Sequence, residues 1–184
     1  MKKKLYSILA MLLLMMITTS TVYAGGYVRL TGAPSSGSPL HLDGYLTGLG
    51  GYPQGVSITL IGSGVPVTTC TSPGGNQAPG QNPAQVTTSG STSVTDPDII
   101  KNGKAPVSVV TEDLIGTTLP GKQGGCPNNR WTATIDSIAW THATVWVYDN
   151  ANGNWLYHAE YSCHLRDGST TAYDCTLTFE EFNH

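Results

Sequence analysis

Positive charge is scarce in this 184-residue chain, and a third of it sits at one end. Three of the 9 Lys and Arg are Lys2, Lys3 and Lys4, so residues 25–184 hold 9 − 3 = 6 against 12 Asp and Glu, net −6 rather than −3. A domain so poor in cations cannot neutralise phosphates, which excludes a nucleic-acid partner. No second apolar run of spanning length follows the first, so a polytopic membrane protein is excluded and no membrane span is expected in the mature chain. No segment sustains a 3.6-residue apolar period, which argues against a helical fold. Catalytic signatures are missing too: no G-x-S-x-G elbow, no glycine-rich phosphate loop ahead of a helix, no His-Glu-x-x-His. The cysteine spacings contain no C-x₂-C or C-x₄-C, which leaves little ground for a zinc site.

At the front, Lys2–Lys4 precede an apolar run from Leu5 to Ile17 and the small-residue site Val22-Tyr23-Ala24. That order is the n-region, h-region and cleavage site of a secretory signal peptide over 1–24, with a single domain over 25–184. No cysteine follows the cleavage site to carry a lipid, and Phe179–His184 lacks a wall-sorting pattern. Secretion to the extracellular space or cell surface is therefore expected, with the periplasm as the alternative. Export also permits disulfides, and four cysteines suit two of them.

The rest of the chain is Gly, Ser, Thr and Pro around short β-branched and aromatic runs. Strands are predicted near 27–31, 39–47, 55–62, 65–71, 85–94, 105–111, 131–139, 141–149, 155–165 and 172–180. Leu40, Leu42 and Leu46 share a parity, as do Val56, Ile58 and Leu60, so each strand buries one face. Short strands at this spacing imply an all-β fold, an antiparallel β-sandwich of immunoglobulin-like build, with a jelly roll or small barrel as alternatives. The antibody-type Cys and Trp spacing is absent.

The C-terminal hairpin allows its register to be derived. If Cys163 faces Cys175, Leu165 meets Tyr173, Tyr161 meets Leu177 and Ala159 meets Phe179, all on one face. The other face then reads His164–Asp174, Ser162–Thr176, Glu160–Thr178 and His158–Glu180, and a one-residue slip would scramble both sets. This supports Cys163–Cys175 and leaves Cys70 with Cys126. Extending back through the Asn152-Gly153 turn signal, Val147 pairs with Tyr157, Val145 with Ala159 and Ala143 with Tyr161. The outward face then carries His142, Trp146, Tyr148, Leu156, His158, Glu160, His164 and Asp174. It is either an ordinary solvated face or a contact platform, because Trp and Tyr supply rigid contact area. A metal patch of His142, His164 and Asp174 is a further reading, as is a pH response from His158–Glu180 or His164–Asp174.

A second candidate is the loop cluster tied by Cys70–Cys126. Residues 72–83, with Asn76, Gln77, Gln81 and Asn82, would meet the stretch around Asn128 and Asn129 at one end of the domain, where loops commonly carry function. Carboxylates exist in pairs, Asp136 with Glu160 for example, but Asp136 lies mid-strand and marks a bulge or an outward position. Asp96, Asp98, Glu112 and Asp113 do not have the spacing of a calcium loop. No cofactor and no enzymatic activity is expected.

The strings Cys70-Thr-Ser-Pro-Gly-Gly-Asn-Gln-Ala-Pro-Gly-Gln-Asn-Pro83, Lys101-Asn-Gly-Lys-Ala-Pro106 and Cys126-Pro-Asn-Asn-Arg-Trp-Thr132 resemble a group of small, uncharacterised exported bacterial proteins, over roughly residues 26–165. The resemblance implies export and a sandwich-like fold, and carries no active site. The function expected is a secreted binding or surface-associated module with a protein or glycan partner. A structural, self-assembling extracellular protein is the alternative, and an enzyme of unrecognised type the remaining one.

Overall fold

The structure, a computed structural model, describes residues 27–183; the proposed leader lies outside them. Eleven strands follow in order: β1 (Arg29–Thr31), β2 (Pro34–Ser36), β3 (His41–Thr47), β4 (Val56–Thr71), β5 (Gln77–Pro79), β6 (Val86–Val94), β7 (Lys104–Val110), β8 (Thr118–Pro120), β9 (Thr132–Asp149), β10 (Trp155–Leu165) and β11 (Tyr173–Phe182). All ladders are antiparallel and join into one sheet, β1-β3-β2-β11-β10-β9-β4-β5, with β6 on β4, β7 on β3 and β8 on β9. The all-β antiparallel class and both disulfides, Cys70–Cys126 and Cys163–Cys175, are as the sequence implies. No helix among the described residues is long and apolar enough to cross a membrane.

The sheet bends round on itself. At one end β6 and β7 converge, Glu112 N–H donating to Ser89 O at 3.1 Å and Thr88 Oγ1 to Glu112 O at 2.9 Å. Inward residues of β3, β4, β7, β9 and β10 then share one core with Leu40, which precedes β3, and they include Leu42, Ile58, Leu60, Val109, Trp140, Val145, Val147 and Ala159. Burying each such side chain stabilises the fold by about 1.5–3 kcal/mol. Gly62 of β4 supplies the space for the facing wall, since a Cβ there would lie 2.7 Å from Leu40 Cδ1 and 3.0 Å from the Trp140 ring.

Two expected breaks are absent. The predicted strands 55–62 and 65–71 are one strand, β4, and 131–139 and 141–149 are one strand, β9. Gly62, Gly64 and Pro66 suggest a turn, but Pro66 falls where β4 has no strand partner on one side. The β6 ladder ends at Gly64, and the β5 ladder begins at Thr69. β9 carries its bends as bulges. Thr141 is an extra residue there, its hydroxyl donating to Ser63 O at 3.2 Å, and Asp136 is another, exposed and accepting from Thr69 Oγ1 at 2.8 Å. The three-residue strands β2, β5 and β8 were not foreseen, because such short runs lack a period.

The hairpin register holds from Tyr161 to Leu165 and then shifts. Tyr161 pairs with Leu177, but Glu160 pairs with Phe179, leaving Thr178 as a bulge whose hydroxyl donates to Glu160 O at 3.0 Å. The expected pairs Ala159–Phe179, Glu160–Thr178 and His158–Glu180 are therefore replaced by Ala159–Glu180, Glu160–Phe179 and His158–Glu181. Phe179 turns outward and Glu180 inward. The β9–β10 pairs Val147–Tyr157, Val145–Ala159 and Ala143–Tyr161 form as derived. Beyond Tyr157 a second bulge intervenes, Trp155 pairs with Tyr148, and Leu156 joins the core, which corrects its placement on the outward face.

Candidate binding face

β9 holds Trp146 and Tyr148 outward because Val145 and Val147 occupy the core. β10 places His158 and Glu160 on the same side of buried Ala159, where Glu160 is exposed but His158 is covered by its ring neighbours and is itself buried. Trp146 and His158 are directly opposite, with ring centroids 3.8 Å apart and planes within 9°. Neighbouring strands lie about 4.8 Å apart, so face-to-face rings at this distance must stand on edge, their planes running along the strands. Tyr148, two residues along β9, is within 22° of the Trp146 plane at 6.1 Å and continues the same upright wall. Trp155 meets Trp146 edge-on at 6.0 Å and 89°. Phe179 of β11 leans on the other side of His158 at 5.6 Å. Five rings thus form one connected group on the outside of three strands.

Sequence reasoning found Trp146, Tyr148 and His158 but missed Trp155 and Phe179, since both owe their outward direction to bulges. The spacing Phe179-Glu180-Glu181-Phe182 held a signal. Two aromatics three residues apart cannot share a face of a regular strand, so one must point out or the strand must bulge.

The other candidates on this face do not converge. Glu160 is exposed, with its Oε1 3.6 Å from His158 Nε2. His142 lies opposite Ser63 and Ser162, and its Nδ1 is 3.1 Å from Thr141 Oγ1. His164 faces Asp174 as derived, but Asp174 is held by Arg166 through bonds of 2.6 and 2.9 Å. Those bonds keep the Asp174 carboxyl below its ordinary range. Among the described residues no three His, Cys, Asp or Glu come together as a metal site. The expected His158–Glu180 pair is broken by the Thr178 bulge. Glu180 instead lies beside Arg29, Oε1 to Nε 3.3 Å, near buried Tyr157 and Tyr161. Burial pushes both phenols upward, and the Glu180 charge adds to this.

The loop cluster is built differently. Gly80 N–H donates to Thr68 O, Gln81 N–H to Gly125 O and Ala84 N–H to Gln123 O, at 2.8–2.9 Å, and Thr68 Oγ1 donates to Gly124 O at 2.6 Å. Gly125, at φ +78°, approaches Gln81 so closely that a Cβ would lie 2.4 Å from its carbonyl oxygen. The side chains of Asn128 and Asn129 accept from the backbone of Arg130 and Lys122. Asn76, Gln77, Gln81 and Asn82 are exposed. A groove of about 490 Å³ beside the disulfide is lined by Ala78, Pro79, Gln81, Gly125, Cys126 and Pro127. Only Gln81 brings a polar side chain to it, short of the convergent polar groups a specific pocket needs. Asp136 and Glu160 are not a catalytic pair either. Glu160 sits opposite Thr144, eight residues along β9 from Asp136.

The chain matches no protein-family model and no curated protein sequence.

Proposed function

We propose that the protein is an exported binding module whose contact surface is the outer face of β9, β10 and β11. The connected array of Trp146, Tyr148, Trp155, His158 and Phe179 carries this reading. Rings locked by stacking lose little entropy when a partner lands on them, which is why Trp and Tyr dominate binding hot spots. Two disulfides fit the oxidising environment outside the cytoplasm, the leader pattern supplies the route, and the resemblance to small exported bacterial proteins points the same way. Depletion from solution by particulate probes tests the reading, using chitin, purified peptidoglycan sacculi and fibrillar collagen. Retention of the wild type by at least one probe, lost in Trp146→Ala, is expected. A Trp146→Ala chain removed as fully as the wild type, or a wild type that none of the three removes, counts against it.

Self-assembly through strand edges is the competing reading, and the β11 edge argues against it. The Thr178 bulge and inward Glu180 are features that blunt an edge against pairing with another chain. A concentration-independent monomer in sedimentation is expected; a mass rising with concentration would favour assembly.

A further inference from the structure

The aromatic wall has two sides, and only one is backed by other rings. On the β10 side stand His158 and Trp155. On the opposite side β4 places Ser57 across from Tyr148 and Thr59 across from Trp146, and β6 continues the same rows with Ser93 and Ser91. These four side chains are short, whereas the indole stands upright, so the surface drops from the wall onto a ledge two strands wide. None of the four hydroxyls has a hydrogen-bond partner within the described residues, nor has the Trp146 indole N–H or the Tyr148 hydroxyl. Their bonding capacity is open to a ligand.

Charge narrows the ligand class. β4, β6, β9, β10 and β11 are neighbours in the sheet and contain no Lys or Arg, and β4 and β6 contain no charged residue at all. An anionic ligand lying here would lose hydration without gaining a counter-charge. A peptide gains little from such a surface, because β4 is hydrogen-bonded on both sides over 56–63 and offers no free edge for strand addition. A neutral sugar ring has the complementary chemistry. One face is apolar C–H that packs on the negative face of an aromatic ring, and its rim is hydroxyls that pair with Ser, Thr and indole N–H.

Resting on the binding-face reading above, we propose that the ligand is a neutral polysaccharide chain lying on the ledge along the strand direction, stacked against Trp146 and Tyr148. The 6.1 Å step between those rings is comparable with one pyranose unit, so successive sugars meet successive rings. Ser57, Thr59, Ser91 and Ser93 take the hydroxyl rim.

Affinity electrophoresis of the full secreted chain tests this, in gels containing hydroxyethylcellulose, galactomannan or xylan as neutral polymers, polygalacturonate as the acidic one and chitosan as the cationic one. Retardation by at least one neutral polymer is expected, weakened on the order of tenfold or more by Trp146→Ala or Tyr148→Ala. Ser91→Arg, at an exposed position, should abolish it by filling the ledge, whereas Ser162→Arg, on the far side of the wall, should leave it unchanged. Cooperative urea unfolding transitions confirm that these variants fold. Retardation only by polygalacturonate or chitosan, or by none of the polymers, overturns the neutral-glycan assignment while the depletion experiment still decides whether the face binds. Loss in Trp146→Ala without loss in Ser91→Arg overturns the ledge and keeps the face. Retardation by a neutral polymer untouched by Trp146→Ala overturns both.

Discussion

The loop end around Cys70–Cys126 and the outer face of β9–β10 are both rich in groups able to bind something, yet they use them in opposite ways. At the loop end, backbone N–H groups, the Thr68 hydroxyl and the Asn128 and Asn129 amides are bonded to one another. On the face, rings are stacked but the hydroxyls and indole N–H beside them are unbonded. A polar group satisfied internally is scaffold, and breaking it costs stability. A group held rigid but unsatisfied costs nothing to the fold when removed and is free to act on a partner.

Substitutions that move one region and not the other sharpen this contrast. The largest effect expected is from Trp140→Ala: Trp140 is 2% exposed and its Nε1 donates to Gly37 O at 2.7 Å, so urea unfolding should show a loss of about 3–5 kcal/mol. Trp146→Ala should cost clearly less in the same measurement, on the order of 2 kcal/mol, because its ring is half-buried rather than buried. Equal losses would mean that the face is part of the core. Next, Cys70→Ala with Cys126→Ala removes a crosslink of separation 56, and Cys163→Ala with Cys175→Ala one of separation 12. Chain entropy assigns these about 4 and about 3 kcal/mol, so the first pair should lower the urea midpoint more. Gly125→Ala should cost about 1–3 kcal/mol through its positive φ and the Gln81 contact, without altering ligand retention.

The smallest effect concerns pH. Asp174 has a depressed pKa in the folded protein, first because of its hydrogen bonds from Arg166. Its contribution is present above the ordinary Asp value and is lost as pH falls through the lower folded value. Thermal scans from pH 5 down to pH 2 should show wild type losing slightly more stability than Arg166→Gln. A parallel decline in the two would remove this pair from the account.

How much of this could be read in the sequence varies along the hairpin. From Tyr161 to Leu165 strict alternation and the cysteine pair defined the partners correctly, because each residue there has one opposite number. From Glu160 outward the same rule failed by one residue, since a bulge inserts Thr178 without changing the composition of either side. Leu156 failed for the same reason. The functional candidates suffered selectively: Trp146, Tyr148 and His158 stand on regular stretches and were recognised, whereas Trp155 and Phe179 owe their direction to irregular ones. Ser57, Thr59, Ser91 and Ser93 carried no signal, for a serine in a Ser-rich chain is distinguished only by what lies beside it.

The sequence alone determined the acidic, cation-poor domain, its all-β class, both disulfides and which residues share a face of β9, while the structure decided that the Trp146 face is the outer one. The former depend on composition and period-two alternation, which act over a few residues. Only the tertiary structure decided that β4 lies against β9, where each strand bulges, and hence that a ring wall stands beside an uncharged hydroxyl ledge. Pairing between residues as far apart in the chain as Val56 and Asp149 is settled by how the whole sheet closes on its core, which no local pattern encodes.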